Sequence, residues 1–479
     1  TMHSPFPFDT LLVFGFMSII LLAGVIVRAK VSFVQRYLFP SCLIGGLLGA
    51  ILVNFKIVNV STSMLETFAY HFFNISFISV GLTKDSEPQQ PGEKKGSFLK
   101  GTIWMALTQG ITFPMQALIG GFVVLAFGWF GTDLFKTFGF LGPLGFNEGP
   151  GQALSFGKVW ESVGFQHAAT IGLTFAAVGF VFAFFVGVPL ANWGIRKGLA
   201  KGGSKELPSE FVRGFMPKSK EGETAGNQKL HSSNVDSLAF QAAMVGLVYV
   251  LAYFTVDFLG SLVGEEVAKM FWGFFFFYGL GIAILVRKLM DLLGIGYLVD
   301  SGIQKRITGW SVDYLIVATI PAIQIAVVWQ FILPIGLIAL INGLLTTLLV
   351  LFLGRRLLSE NLERMVAMYG TVTGTVSCGL LLLRIVDPEF KTSVATELAV
   401  MNIFVFPILT PCVLLVNAPV LWGWSLELTL LAFAGIAVKI WAKKDGEFAG
   451  TCASNNPLLK DDSGGCTVCG AKPTEQCKS

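Results

Sequence analysis

Long apolar runs separated by short polar segments dominate the chain. A bilayer core is about 30 Å thick, so a helix needs roughly 17–25 apolar residues to cross it. The pattern predicts an all-α polytopic membrane protein. Runs of the required length predict eleven spans, at residues 9–28, 34–54, 64–83, 101–128, 166–193, 237–259, 267–290, 308–329, 331–353, 392–418 and 420–441.

Two further apolar stretches, 137–165 and 361–386, do not fit this rule. The first contains "NEGPGQ" and the second "YGTVTGTVSCG", so both are interrupted by residues that break or weaken helices. A straight helix over 137–165 would be about 40 Å long, and its proline flanked by glycines would break it. We predict that each stretch is a re-entrant hairpin, which enters and leaves the membrane on one side.

Basic residues are concentrated between the spans, most densely in the segment 194–236. Lys and Arg accumulate in cytoplasmic loops, so this segment should be cytoplasmic. If both hairpins re-enter the membrane, all the basic loops fall on the cytoplasmic side. This arrangement predicts an N-terminus outside the membrane and a C-terminal tail in the cytoplasm.

The two halves of the chain then share one plan of four spans, a hairpin and a fifth span. We predict an inverted-topology repeat of 9–197 and 237–418, joined by a cytoplasmic linker at 198–236. Residues 420–441 form an extra transmembrane helix and 443–479 a cytoplasmic tail. Inverted repeats with paired broken segments are typical of secondary transporters, which bind their substrates near the membrane midplane. The hairpins and the span after each would be a mobile core, and the other spans a scaffold with a dimer contact.

The composition agrees with a membrane protein and argues against a soluble domain, a nucleic-acid-binding protein and an intramembrane enzyme. Hydrophobic residues make up 53% and charged residues 13% of the chain, with a mean hydropathy of +0.70. Soluble domains carry about 25% charged residues. The basic residues are better explained by topology and anionic lipid than by nucleic acid. The sequence contains neither HExxH nor GxSxG, so an intramembrane enzyme is disfavoured.

The sequence also resembles a known family. The stretch "FDTLLVFGFMSIILLAGVIVRAKVSFVQRYLFPSCLIGGLLGAILV" (8–53) is similar to the start of bacterial sodium/glutamate symporters. The similarity lies in the aspartate before the first span, the "VSF" loop, and "YxxP" leading to "GGLLGA". Both glycine-rich hairpins resemble those of the family, including Lys158 in the first. The resemblance implies a homodimeric symporter of the bacterial inner membrane that moves glutamate, an anionic small molecule, with sodium as coupling ion.

One departure from the family pattern leaves alternatives open. Small residues and a histidine are typical of the first hairpin tip, whereas Asn147 and Glu148 stand here. A fixed carboxylate is a poor neighbour for a dianion unless it is protonated or paired with a cation. One alternative is therefore a proton-coupled carrier of another organic substrate, with Glu148 as the proton site. Another is a membrane sensor that binds ligand without flux.

The hairpin tips supply the candidate substrate-binding residues. Helix N-termini bind carboxylates, and exposed carbonyls bind sodium. Alternatively, the glycines only permit close helix packing. A carboxylate at membrane depth indicates function, so Glu148 would ligate a cation, carry a proton or pair with Lys158. The candidates are Asn147, Glu148, Gly149, Gly151 and Gln152 in the first hairpin, and Thr371, Thr373, Gly374, Thr375 and Ser377 in the second.

Polar residues inside other spans extend the list of sodium candidates. Asp313 is expected in the first turn or two of its span. The helix dipole alone favours an acidic residue near a helix start, so Asp313 is either a sodium ligand or a residue that stabilises the helix end. The neutral candidates would otherwise hydrogen-bond to neighbouring helices. The sodium candidates are Asn74, Ser76, Glu148, Asp313 and Asn402.

Cysteines fall into two groups. Those in apolar segments are expected to be small buried hydrophobes; they are Cys42, Cys378 and Cys412. The tail cysteines, two of them in "CTVC", have the spacing of a zinc knuckle or belong to a disordered, reduced tail. They are Cys452, Cys466, Cys469 and Cys477.

Overall fold

The structure, a computed structural model, is helical throughout its regular elements. A bilayer offers no hydrogen-bond partners to a backbone, so apolar segments satisfy their own N–H and C=O groups as helices. The prediction of an all-α polytopic membrane protein is confirmed. The cysteine tail lies outside the described residues. The structure describes residues 7–83, 95–201, 212–215, 226–229, 231, 233–357, 360–388 and 391–441.

Nine helices of the first half are described. A short 3₁₀ turn precedes the sixth. They are α1 (Asp9–Lys30), α2 (Ser32–Arg36), α3 (Ser41–Asn54), α4 (Thr62–Leu82), α5 (Lys95–Trp129), α6 (Leu141–Phe146), α7 (Pro150–Glu161), α8 (Ala168–Phe185) and α9 (Gly187–Arg196).

The described part of the second half continues in the same manner. The carboxylates of Asp236 and Asp300 cap two of its helices by accepting from first-turn N–H groups. The helices are α10 (Ser237–Ser261), α11 (Glu265–Gly273), α12 (Phe275–Leu292), α13 (Ser301–Ala322), α14 (Ile325–Gln330), α15 (Ile332–Gly354), α16 (Asn361–Thr373), α17 (Val376–Val386), α18 (Val394–Leu415), α19 (Ala418–Leu421) and α20 (Leu426–Trp441).

Five helical segments of the described chain are long and apolar enough to cross a membrane, and seven if two bent pairs each count as one span. The bends are 63° between α11 and α12 and 46° within α18. The predicted spans 34–54, 64–83, 308–329 and 420–441 correspond to α3, α4, α13 and α20, which are shorter or more polar. The count of eleven spans therefore stays a prediction.

The helices form two groups. We call α1–α4 with α10–α13 the scaffold body, and α5–α9 with α15–α18 and α20 the hairpin body. The two bodies meet mainly along α7 and α8. The sequence places the spans 101–128, 331–353 and 420–441 in the scaffold, but the corresponding helices α5, α15 and α20 pack in the hairpin body. The amide of Gln116 on α5 explains this, since it donates to the Thr346 hydroxyl on α15 and to the Val372 carbonyl on α16.

Large apolar side chains on the outside of the bundle are exposed. On α10, Leu247, Phe254 and Phe258 are examples, and α1 and α15 present similar faces. Large exposed apolar surfaces mark contact with lipid or with another protein. These surfaces suit the hydrocarbon region of a bilayer.

Candidate functional site

The first hairpin breaks where the sequence predicted a break. Helix α6 ends at Phe146 and α7 begins at Pro150, with Gly149 between them at φ +85° and ψ −176°. Backbone in that region is essentially restricted to glycine. Proline suits the first position of a helix because its missing N–H would have no partner there. The Gly-Pro pair therefore ends one helix and starts the next.

The second hairpin breaks at Gly374 and Thr375, between α16 and α17. The Thr375 hydroxyl caps α17 by accepting from the N–H of Cys378 at 3.4 Å. A Cβ added to Gly379 would lie 2.5 Å from the carbonyl oxygen of Ala367. The two helices of this hairpin therefore touch backbone to backbone, which only a glycine permits.

The two tips meet. A Cβ added to Gly149 would lie 2.9 Å from Cγ2 of Thr375 and 3.1 Å from the carbonyl oxygen of Gly374. Helix α8 passes beside both, since a Cβ added to its Gly179 would overlap the carbonyl oxygen of Thr373. The structure thus brings together the two candidate segments that are more than two hundred residues apart in sequence.

Glu148 lies in a network of amides at this meeting point. Its carboxylate accepts from Nε2 of Gln152 at 2.7 Å and from Nε2 of Gln109 at 3.2 Å. No salt bridge in the described part of the chain includes Glu148. The ammonium of Lys158 instead pairs with Glu66 and Glu161. The pairing of Lys158 with Glu148, considered from the sequence, is not formed.

The same network contains oxygen atoms without donors. The side-chain oxygens of Gln109 and Gln152 are buried and have no hydrogen-bond partner among the described residues. The Asn147 amide lies 2.8 Å from the Thr112 hydroxyl. Carboxylate and amide oxygens are the ligands that hard cations prefer. The arrangement therefore fits a small cation beside Glu148.

Sequence reasoning missed the contribution of α5. Gln109, Thr112 and Gln116 are buried and lie three, four and seven residues apart, so they share one face of the helix. That polar stripe within an apolar span was a usable signal, because polar groups at membrane depth are expensive. The stripe is inconspicuous because the rest of 101–128 has the apolar composition of an ordinary span.

The hydroxyl groups of the second hairpin differ in how accessible they are to a ligand. Thr371 and Thr373 are buried and donate to the carbonyls of Ala367 and Tyr369 one turn earlier in α16. Ser377 is exposed at the start of α17. Thr375 and Ser377 are therefore the better placed to meet a ligand.

The other sodium candidates do not join the tips. Asn74 is buried beside the Tyr70 and Tyr249 hydroxyls within the scaffold body. The Ser76 hydroxyl donates to the carbonyl of Phe73 on its own helix. Asn402 is exposed and donates to the Ala399 carbonyl. The hydrogen bonds of Ser76 and Asn402 stay within their own helices. Both amide atoms of Asn74 are buried and have no hydrogen-bond partner among the described residues.

The position predicted for Asp313 is wrong. Helix α13 begins at Ser301, so Asp313 lies more than three turns beyond its start. The carboxylate that accepts from the first turn belongs to Asp300, at 2.9 Å from the N–H of Ile303. The prediction for Asp313 fails because the apolar run starts at residue 308, whereas the helix already starts at Ser301. Asp313 is exposed and lies beside the Cys42 thiol.

The cysteines of the described chain behave as expected. Cys42, Cys378 and Cys412 are free and buried. No group of three His, Cys, Asp or Glu side chains that would hold a metal occurs within the described ranges. The predicted zinc knuckle falls on the tail, outside those ranges.

Comparison with known proteins decides the family. A sequence model of the sodium/glutamate symporter family matches residues 6–379, which includes the first hairpin and the tip of the second. The chain belongs to the sodium/glutamate symporter family. The resemblance stated above is confirmed, and this symporter is a multi-pass membrane protein of a transporter family. A search of curated proteins finds no match.

Proposed function

We propose that this protein is a sodium-coupled symporter of glutamate or a related anionic amino acid. The contact between the two hairpin tips around Glu148 carries the proposal, because secondary transporters bind substrate where broken helices meet. Family membership supports sodium and glutamate as the transported species. Movement of the hairpin body against the scaffold body would provide alternating access.

The tips offer separate places for anion and cation. The N-terminal ends of α7 and α17 point positive dipole ends and free N–H groups toward the tips, which favours substrate carboxylates. Thr375 and Ser377 add hydroxyls. Glu148 and the amide oxygens of Gln109 and Gln152 form the cation side. A sodium ion there would neutralise Glu148 and remove its repulsion of a dianionic substrate.

The proposed membrane arrangement follows the charge distribution. We place the protein as a homodimer in a bacterial inner membrane, with the N-terminus outside and the linker 198–236 and the tail in the cytoplasm. The hairpins would re-enter from opposite sides as equivalent parts of an inverted repeat. The reciprocal packing of α4 on α12 and of α3 on α13 supports this symmetry.

A second candidate function rests on Glu148 itself. Its hydrogen-bond partners among the described residues are neutral amides. A carboxylate in such surroundings can bind a proton as well as a metal ion. A proton-coupled carrier of another organic substrate would use Glu148 as its proton site.

Uptake of radiolabelled glutamate into proteoliposomes, with sodium and proton gradients imposed separately, tests the proposal. We expect sodium to drive uptake. Glu148→Gln should reduce sodium-driven uptake roughly 10–100-fold, because it removes a charged hydrogen-bonding group. Glu265→Gln is the matched control, since the Glu265 side chain is 86% exposed on α11.

The alternative outcomes are distinct. Uptake driven by protons and lost in Glu148→Gln would favour the proton-coupled carrier. Protein that is folded but takes up no glutamate under either gradient would refute the glutamate assignment, and counterflow with other carboxylates would then separate a carrier from a sensor.

A further inference from the structure

An ion pair joins the first hairpin to the scaffold body. Nζ of Lys158 on α7 lies 2.6 Å from the carboxylate of Glu66 on α4 and 2.9 Å from that of Glu161. Glu161 also accepts from the N–H of Ala169 at the start of α8. Glu66 is 6% exposed. A continuous polar chain thus runs from the scaffold through α7 to α8.

Apolar contacts extend this junction along α7. A Cβ on Gly151 would overlap the ring of Phe73 on α4, so the two helices touch directly at the tip. Further along, the rings of Phe156 and Phe274 meet edge to face with centroids 4.9 Å apart. One side of the first hairpin is therefore closed against the scaffold along most of its length.

The second hairpin packs mainly within its own body in the described chain. Its helices α16 and α17 pack on α5, α8, α9, α15 and α18, all members of the hairpin body. Ser377 at its tip and Asp313 on the scaffold helix α13 are both exposed. The ion pair and the apolar contacts along α7 therefore indicate a conformation that is closed beside the first hairpin.

We infer that the Lys158–Glu66 ion pair is the latch of the external gate. The inference rests on the proposed function, which places the first hairpin on the outer side of the membrane. The hairpin body cannot move outward past α4 while the pair is intact, so the pair must separate before the site opens to the outside. Both groups are positioning residues, since neither touches the tips.

The physical basis is the burial of Glu66. Separating the pair leaves a carboxylate that is almost inaccessible to water, and an unpaired buried charge is strongly unfavourable. The closed state is therefore favoured until water or substrate enters from outside. Removing the charge of Glu66 removes that bias and enlarges the population open to the outside.

The latch is tested by measuring glutamate transport separately from the external and the cytoplasmic side of the membrane. Right-side-out and inside-out vesicles separate the external and cytoplasmic half-saturation concentrations for glutamate. With Glu66→Gln we expect the external value to fall about fivefold or more, because apparent affinity rises with the population of the binding-competent state. The cytoplasmic value should not fall. Lys158→Arg, which keeps a positive charge facing both Glu66 and Glu161, should retain the parental values.

Hydrogen exchange of the purified protein supplies a test that needs no transport. Glu66→Gln should accelerate amide exchange across α7, whereas Glu265→Gln, which breaks the exposed pair with Lys269, should not. Equal exchange in Glu66→Gln and the parent would overturn the latch. So would an external half-saturation that falls no further than with Glu265→Gln. Accelerated exchange in a protein that transports nothing would retain the latch and reject the proposed function.

Discussion

At the scale of single residues, Gly149 has both an unusual backbone conformation and direct contact with the second hairpin tip. Its dihedral angles belong to a region that side chains avoid, and its missing Cβ lets the second tip approach. The two effects are separable, because Gly131 also has a positive φ but has no atom within 4 Å of an added Cβ. Glu148 and Gly149 were predictable from the sequence, since the break in "NEGPGQ" is a local property.

We expect Gly149→Ala to abolish uptake and to destabilise the protein by about 1–3 kcal/mol, because it adds backbone strain and pushes the tips apart. Thermal unfolding in detergent and glutamate uptake measure the two effects. Gly131→Ala, the matched control, should lose stability from strain alone and keep its uptake. Similar behaviour of the two variants would contradict contact between the tips.

At the scale of helices, a buried ion pair fixes the base of the second hairpin. Nε of Arg364 on α16 donates to Oε2 of Glu397 on α18 at 2.7 Å, and Nη2 donates to the other carboxylate oxygen. Arg364 is 2% exposed and Glu397 fully buried. Such bidentate pairs have fixed geometry. The hairpin is therefore attached to α18 at its base, while its tip contacts the first hairpin.

Glu397→Ala should lower the free energy of unfolding by about 3–5 kcal/mol, because it leaves the Arg364 charge buried without this partner. Thermal unfolding in detergent checks the change. Glu265→Ala, which breaks the exposed pair with Lys269, should stay within about 0.5 kcal/mol of the parent. Equal effects of the two variants would show that the buried pair does not stabilise the hairpin.

At the scale of the whole molecule, transport requires the two bodies to move relative to each other. A Cβ on Gly273 of α11 would lie 3.1 Å from Cγ2 of Val159 on α7, so a disulfide there would join the bodies. A Cβ on Gly279 of α12 would lie 2.8 Å from Cγ1 of Ile78 on α4, and both residues belong to the scaffold body.

Oxidised Gly273→Cys/Val159→Cys should lose uptake and regain it on reduction, in a background whose four tail cysteines are replaced by serine. Oxidised Gly279→Cys/Ile78→Cys should transport normally, because its disulfide lies within one body. Uptake by the first variant with its disulfide shown to be formed would exclude movement between α7 and α11.

The sequence by itself determined the membrane class, the all-helical fold, the two breaks and the family resemblance. These features depend on local composition, since lipid forces apolar runs into helices and Gly-Pro interrupts them. Only the tertiary structure decided that α5 joins the hairpins and that Lys158 pairs with Glu66. A polar residue within a span has the same local sequence whether it faces lipid, a neighbouring helix or a site. Its partner is set by long-range packing, which brings together residues far apart in the chain.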